Sequence, residues 1–284
     1  MIQLGEDKYK TFLTRMWKLC FPSDSDAFIR FYFEKVYKNE ETLILLEGDI
    51  PVASLQMIPY PVKIGASISQ GGYISGAMTH PDFQNKGYMG KLLNAALEMM
   101  KEKDYSCSFL IPQEEWLFNF YQKFGYIKAF PKYGSSAYHP SLNRDKAALP
   151  AINISAKSDE INLDIFFIVY SGFLQEKTNA ILKTKPQVLN ILSDFFDEKG
   201  ILFYNTEGVA FSVRKENKII IKEFFYTCDT VKKEFLERIA DYHHSNEIIV
   251  LNDPLSGSSH NLGMIKSLNE SDVPTDIYMS MMLN

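Results

Sequence analysis

A chain of 284 residues is long enough for two domains with separate cores, and its 46% apolar and 23% charged residues are those of an ordinary globular protein. A net charge of -5, with no Lys/Arg run longer than a pair, argues against a nucleic acid or an anionic membrane as partner, since both need concentrated positive surface. The three cysteines, Cys20, Cys107 and Cys228, are odd in number and far apart, the N-terminus has no signal-like apolar core, and no apolar run approaches the ~20 residues of a membrane span; a cytoplasmic protein is expected.

Apolar residues at helical spacing predict helices over 7–20 and 26–37, separated at Pro22 and Ser23. Strands are expected at Thr42 to Glu47 and Val52 to Ile64, joined by the turn chemistry of Gly48-Asp49. A third, Gly72 to Thr79, stops at His80-Pro81. A helix follows whose stripe is Leu92, Leu93, Ala96, Leu97 and Met100. Next come a short strand at Ser106 to Ile111 and a short helix, Leu117 to Phe124, ended by Gly125. Residues 131–158 carry Pro131, Gly134, Pro140 and Pro150 and read as a connection, with the boundary near Pro150. Beyond it the order recurs: helices at about 160–174 and Pro186 to Asp197, three strands between Ile201 and Tyr226, a helix at Val231 to His243, and strands at Ile248 to Leu251 and Ile277 to Leu283. The expectation is an α/β chain of two similar mixed-sheet domains, 1–145 and 150–284.

The informative stretch is Gln84-x-x-Gly87-x-x-Gly90, between the Pro-terminated strand and the striped helix. A helix start offers unpaired amides and partial positive charge, enough to hold a pyrophosphate with main-chain donors. Glycine at 87 and 90 would let phosphate oxygens approach the backbone; the alternative is that Gly87 permits a tight turn and Gly90 close helix packing. The helix dipole supplies only ~0.3–1 kcal/mol, so hydrogen bonds to charged oxygens must supply most of the hold. Neither the P-loop pattern nor G-x-G-x-x-G is present.

Gln84-x-x-Gly87-x-x-Gly90, together with Asn119-Phe-Tyr121-Gln-Lys-Phe-Gly125-Tyr126, resembles the coenzyme loop and second signature of the GNAT superfamily of N-acyltransferases, over residues 1 to about 140. The resemblance implies a sheet splayed between Gly72–Thr79 and Ser106–Ile111, with pantetheine in the gap. It implies that Ala77, Met78 and Thr79 bind pantetheine through the main chain. The segment Gln84, Asn85, Lys86, Gly87, Tyr88, Met89, Gly90 and Lys91 would wrap the pyrophosphate, with Asn119 also at the coenzyme. The tandem arrangement is similar to the enhanced-intracellular-survival acetyltransferases, without their sterol-carrier-like third domain. The second copy has Thr227-Cys228-Asp229 where the glycine loop should be, so it is expected to be degenerate.

The implied reaction moves an acetyl group from acetyl-CoA, as cosubstrate and without a metal, to a primary amine of a small molecule or peptide. An alkyl amine of pKa ~10.4 is neutral in roughly one molecule in 2,500 at pH 7, a handicap of ~4.6 kcal/mol, so a base is needed. Glu114 and Glu115 are the candidates, with His80 second; either Glu could equally serve only the helix start that follows. Tyr121 takes the place of the family's hydrogen-bond donor to the coenzyme sulfur, or else is a core aromatic. Tyr60, Tyr73, Trp17 and Trp116 could line an amine pocket. Transfer of a longer acyl or aminoacyl group, or acyl-CoA sensing without catalysis, are the alternatives.

Overall fold

The structure, a computed structural model, describes residues 1–141, 151–216, 218–269, 272–280 and 282–283. Helix α1 (Asp7–Cys20) places Asp7 at its positive end and turns Leu13, Met16 and Trp17 inward at one-turn spacing. Ser25 caps α2 (Asp26–Phe31) by accepting the Phe28 amide at 3.1 Å. The helix expected to continue to residue 37 widens instead into a π-helical turn, Tyr32–Val36. From below, this turn is held by the Tyr32 hydroxyl, which donates to Gln56 Oε1 at 2.7 Å and pairs with Ser75 Oγ at 2.9 Å.

Strands β1 (Ile2–Leu4), β2 (Thr42–Glu47), β3 (Ile50–Ile64) and β4 (Ser67–Thr79) are antiparallel neighbours, with left-handed Gly48 and Gly65 in the two tight turns. Helix α3 (Tyr88–Glu102) crosses to β5 (Cys107–Leu110), parallel to β4, and buries the predicted stripe against one face of the sheet. Helix α4 (Glu115–Gln122) adds Phe118 and Tyr121 to that core, while α1 and α2 cover the other face.

Beyond α4 the structure departs from the expected order. Residues 131–138, read as connection, hold strands: β6 (Ile127–Tyr133) passes through Pro131, which the sheet edge tolerates, and β7 (Ser136–Tyr138) follows. Strand β6 does not pair with β5. Between them lies β14 (Ser259–Ser267), antiparallel to both, with Met264 opposite Leu110 on one side and Lys128 on the other. In return β7 joins the second sheet, whose order is β7, β13 (Ile248–Val250), β12 (Lys218–Tyr226), β11 (Gly208–Lys215), β10 (Ile201–Tyr204) and β8 (Asn153–Ser155). Pro150 itself lies outside the described residues, but two strands are exchanged across the expected boundary.

The predicted last strand is also corrected. Among the described residues of Ile277 to Leu283 only Tyr278 forms a β-bridge, to Ala180, and the last described strand is β14. Polar residues and Gly263 hide β14 from a periodicity reading. That glycine is required by packing, because a Cβ there would lie 2.4 Å from the Leu110 carbonyl oxygen. Helices α5 (Leu163–Gln175) and α6 (Lys185–Asp197) cover one face of the second sheet and α7 (Asp229–His243) the other. Between α5 and α6, β9 (Asn179–Ile181) pairs with β3 and ties the second half to the first sheet.

Candidate active site

Strands β4 and β5 pair at only three positions, Gly71 with Cys107, Gly72 with Ser108 and Tyr73 with Phe109, and then separate. The separation has a local cause. Between the Ser54–Met78 and Gln56–Ser75 pairs, Leu55 faces two residues of β4, Gly76 and Ala77, and Gly76 has a φ of 55°. Such a bulge leaves a residue out of the ladder and bends its strand. Trp17 packs into the space that glycine leaves, its ring carbon 2.4 Å from where a Cβ would stand. Gly76→Ala should therefore lower stability in urea by at least the ~1–3 kcal/mol of a strained left-handed residue. An unchanged urea midpoint would mean that β4 is not bulged this way.

The opening holds a cleft of about 830 Å³, part of it open to solvent. Ser75, Gly76 and Ala77 form one wall, and Leu110, Ile111, Pro112 and Gln113 the other. Tyr121 and Leu117 come from α4, Trp17, Phe21, Asp24 and Phe28 from the helical layer, and Leu283 from the C-terminal tail. The Tyr121 ring packs 5.1 Å from Phe120 and 5.9 Å from Tyr126. Burial pushes its hydroxyl up to about 12, and that hydroxyl has no hydrogen-bond partner among the described residues. Asp24 brings a carboxylate to the cleft, where its Oδ2 accepts from Trp17 Nε1 at 2.7 Å.

At the end of β4 the loop is built by the backbone. Asn85 (φ 61°) and Gly87 (φ 75°) are left-handed, and Gly87 begins α3 with no side-chain cap on the first-turn amides. Space around Gly87 is open, whereas a Cβ on Gly90 would lie 3.0 Å from Phe124 in the turn that follows α4. The two glycines thus differ: one supplies the turn, the other close packing. Gln84 donates to the Thr79 carbonyl at 3.3 Å and so ties the loop to the strand end. Lys86 lies over the Phe83 ring at 4.7 Å and Lys91 over Tyr88 at 5.8 Å, two cations beside the helix start.

Of the residues singled out from sequence, Ala77 and Tyr121 line the cleft, and Met78 is buried beneath it. Gln84 to Lys91 surround the start of α3, with Tyr88 and Met89 partly buried. Glu114 and Glu115 stand exposed at the start of α4, outside the cleft lining, and Glu115 reaches Lys128 at 3.9 Å. Asn119 is on the exposed side of α4. His80 caps a short turn by accepting the Asp82 amide at 3.3 Å. Among the aromatics, Trp17 and Tyr73 line the cleft, Tyr60 is packed behind Tyr73 at 6.1 Å, and Trp116 is exposed. Sequence reading missed Asp24, Phe21, Phe28 and Leu283. Only Asp24 had a signal, as an acid in the polar run Ser23-Asp24-Ser25-Asp26 between two aromatic-rich helices.

A parallel strand pair splayed beside an uncapped helix start, with a tyrosine facing the gap, is the arrangement of an acyl-CoA N-acyltransferase. Residues 2–129 match the family model for the acetyltransferase (GNAT) domain, so the chain carries a GNAT domain and is an N-acyltransferase. The whole chain is similar to the GCN5-related N-acetyltransferase from Kribbella flavida, at 14% identity and TM-score 0.74, covering 94% of this chain and 70% of that one. It is similar to the GCN5-related N-acetyltransferase from Anabaena variabilis (15%, 0.75, covering 95% and 73%) and to Eis1 from Mycobacterium abscessus (9%, 0.71, covering 95% and 74%). Among curated proteins the sequence finds no match. The mixed-sheet tandem fold is thus the one expected, with the strand exchange added.

Proposed function

We propose that this chain transfers an acetyl group from acetyl-CoA to a primary amine by direct attack in a ternary complex. The observation that carries the reading is the cleft between the diverging halves of β4 and β5, lined by Ser75 to Ala77 on one side and reached by Tyr121 of α4. The pyrophosphate sits on the amides of Gly87 to Lys91, with Lys86 and Lys91 adding charge, and pantetheine lies along Ala77 to Thr79. Tyr121 donates a hydrogen bond to the sulfur as the thioester breaks. With its phenol at about 12 and a thiol at ~8.5, full proton transfer to the thiolate is uphill by roughly 5 kcal/mol, so the tyrosine acts as a donor that keeps its proton.

On the acceptor side, Asp24 holds the incoming ammonium, and the aromatic faces of Trp17 and Phe28 flank it. Glu114 and Glu115 can take the amine proton only through water, given their exposed position. An ion pair at 4 Å is worth ~4 kcal/mol at an effective dielectric of 20, before desolvation reduces it. Asp24→Asn should accordingly raise the KM for the amine about tenfold or more and leave acetyl-CoA affinity within twofold. A KM that does not move would remove Asp24 from acceptor binding.

A single coenzyme site is expected per chain. In the second half, α7 starts after Thr227-Cys228 with no glycine, and the buried pair Lys232–Asp253, at 3.1 Å, occupies the space between α7 and the end of β13. Titration calorimetry with acetyl-CoA should give one site. Thiol release with polyamines, aminoglycosides and lysine peptides then tests catalysis: binding without release for every amine would favour an acyl-CoA sensor instead.

A further inference from the structure

The C-terminal tail crosses from the second half of the molecule into the cleft, and its side chains alternate between the two. Ile277 and Met279 are buried in the core under the first sheet, while Tyr278 and Ser280 turn toward the second half. A period of two is that of an extended chain, although only one β-bridge forms among the described residues of the tail. Tyr278 receives the Ile181 amide on its carbonyl at 2.9 Å and donates its own amide to Asn179 at 2.9 Å. Its hydroxyl donates to Glu223 Oε1 of β12 at 2.8 Å, and its ring lies 5.4 Å from Phe173 of α5. Two residues on, Ser280 Oγ accepts from the buried Lys183 Nζ at 2.5 Å. Burial pushes the Lys183 ammonium down to about 8, against the opposing pull of Glu223, which shows how enclosed this anchor is. Three residues further, at most ~10 Å of chain, Leu283 enters the cleft that contains Trp17, Asp24 and Tyr121.

We propose that the Tyr278–Glu223 and Ser280–Lys183 hydrogen bonds form a strap that holds Leu283 as an apolar wall of the acceptor pocket, so that the second half of the chain sets which amines are accepted. Leu283 is then a specificity-determining residue, and Tyr278 and Ser280 are positioning residues acting through it. The proposal rests on the amine-acetyltransferase reading above. It accounts for the second half by what it does to the cleft. A leucine across from aromatic rings leaves room for an amine on a slender alkyl stem and excludes one on a bulky ring.

The test compares wild type with Leu283→Ala, Ser280→Ala, Tyr278→Phe and the double variant Ser280→Ala/Leu283→Ala, using a linear alkyl diamine and an arylalkyl amine. The expected result is a tenfold or greater shift of the kcat/KM ratio toward the arylalkyl amine in Leu283→Ala. A smaller shift of the same sign is expected in Ser280→Ala and Tyr278→Phe, with the acetyl-CoA dissociation constant within twofold of wild type throughout. Because the anchors act through Leu283, Ser280→Ala should add nothing in the Leu283→Ala background. If wild type acetylates amines but the ratio is unmoved in Leu283→Ala, or the effects of the two sites multiply, the strap is overturned and the parent reading stands. If wild type acetylates no amine while binding acetyl-CoA, the parent reading falls and the strap with it. Hydrogen exchange at the Tyr278 amide, which needs no turnover, should quicken in Ser280→Ala; no change there would equally overturn the anchor.

Discussion

Replacing Tyr121 with phenylalanine should lower kcat by a factor on the order of 10² to 10⁴, the usual contribution of a positioned proton or hydrogen-bond donor, with acetyl-CoA affinity unchanged. The substitution isolates chemistry from packing. The ring keeps its contacts with Phe120 and Tyr126, and the hydroxyl has no described protein partner to orphan, so the urea midpoint should barely move. Since burial holds the phenol at about 12, it stays protonated throughout the practical range, and wild-type kcat/KM should show no alkaline fall below pH 10. Activity should instead rise with pH as the amine acceptor loses its proton. A Tyr121→Phe enzyme with normal turnover would eliminate the donor role and leave the tyrosine as a core aromatic.

A fragment of residues 1–145, which the sequence presents as a self-contained domain, should fail to fold. It lacks β14, so β5 and β6 lose the strand that joins them, and Met264 and Ile265, both fully buried, leave the two cores of the first sheet. At ~1.5–3 kcal/mol for each buried side chain, those two alone remove roughly 3–6 kcal/mol. That is comparable with the whole stability of a typical domain, ~5–15 kcal/mol, before the lost ladders and the exposed strand edges are counted. The fragment should bind a hydrophobic dye, show no cooperative urea transition and give no acetyl-CoA isotherm. Cooperative unfolding together with full-chain coenzyme affinity would show that the inserted strand is dispensable.

The glycine turn and the helix proposed to hold the coenzyme were legible because their signals are local. Gly87 and Gly90, the Pro81 stop and the α3 stripe lie within a span of twenty residues, and each acts on its own turn of backbone. The opposite wall of the cleft was not, because Asp24, Phe28 and Leu283 meet only when α1, α2 and the tail converge on the gap. Even the gap depends on Gly76, whose left-handed backbone reads in sequence as an ordinary strand glycine.

From its sequence alone this chain had its helices, most of its strands, the glycine turn before α3 and its N-acyltransferase class, since helical stripes, glycine conformation and proline stops are properties of neighbouring residues. What only the tertiary structure decided is who pairs with whom: β14 inserted between β5 and β6, β7 given to the other sheet, and Leu283 brought to Trp17 and Asp24. A short strand's own residues specify its conformation but not its neighbour, and a partner more than a hundred residues away is selected by the fit of the assembled core.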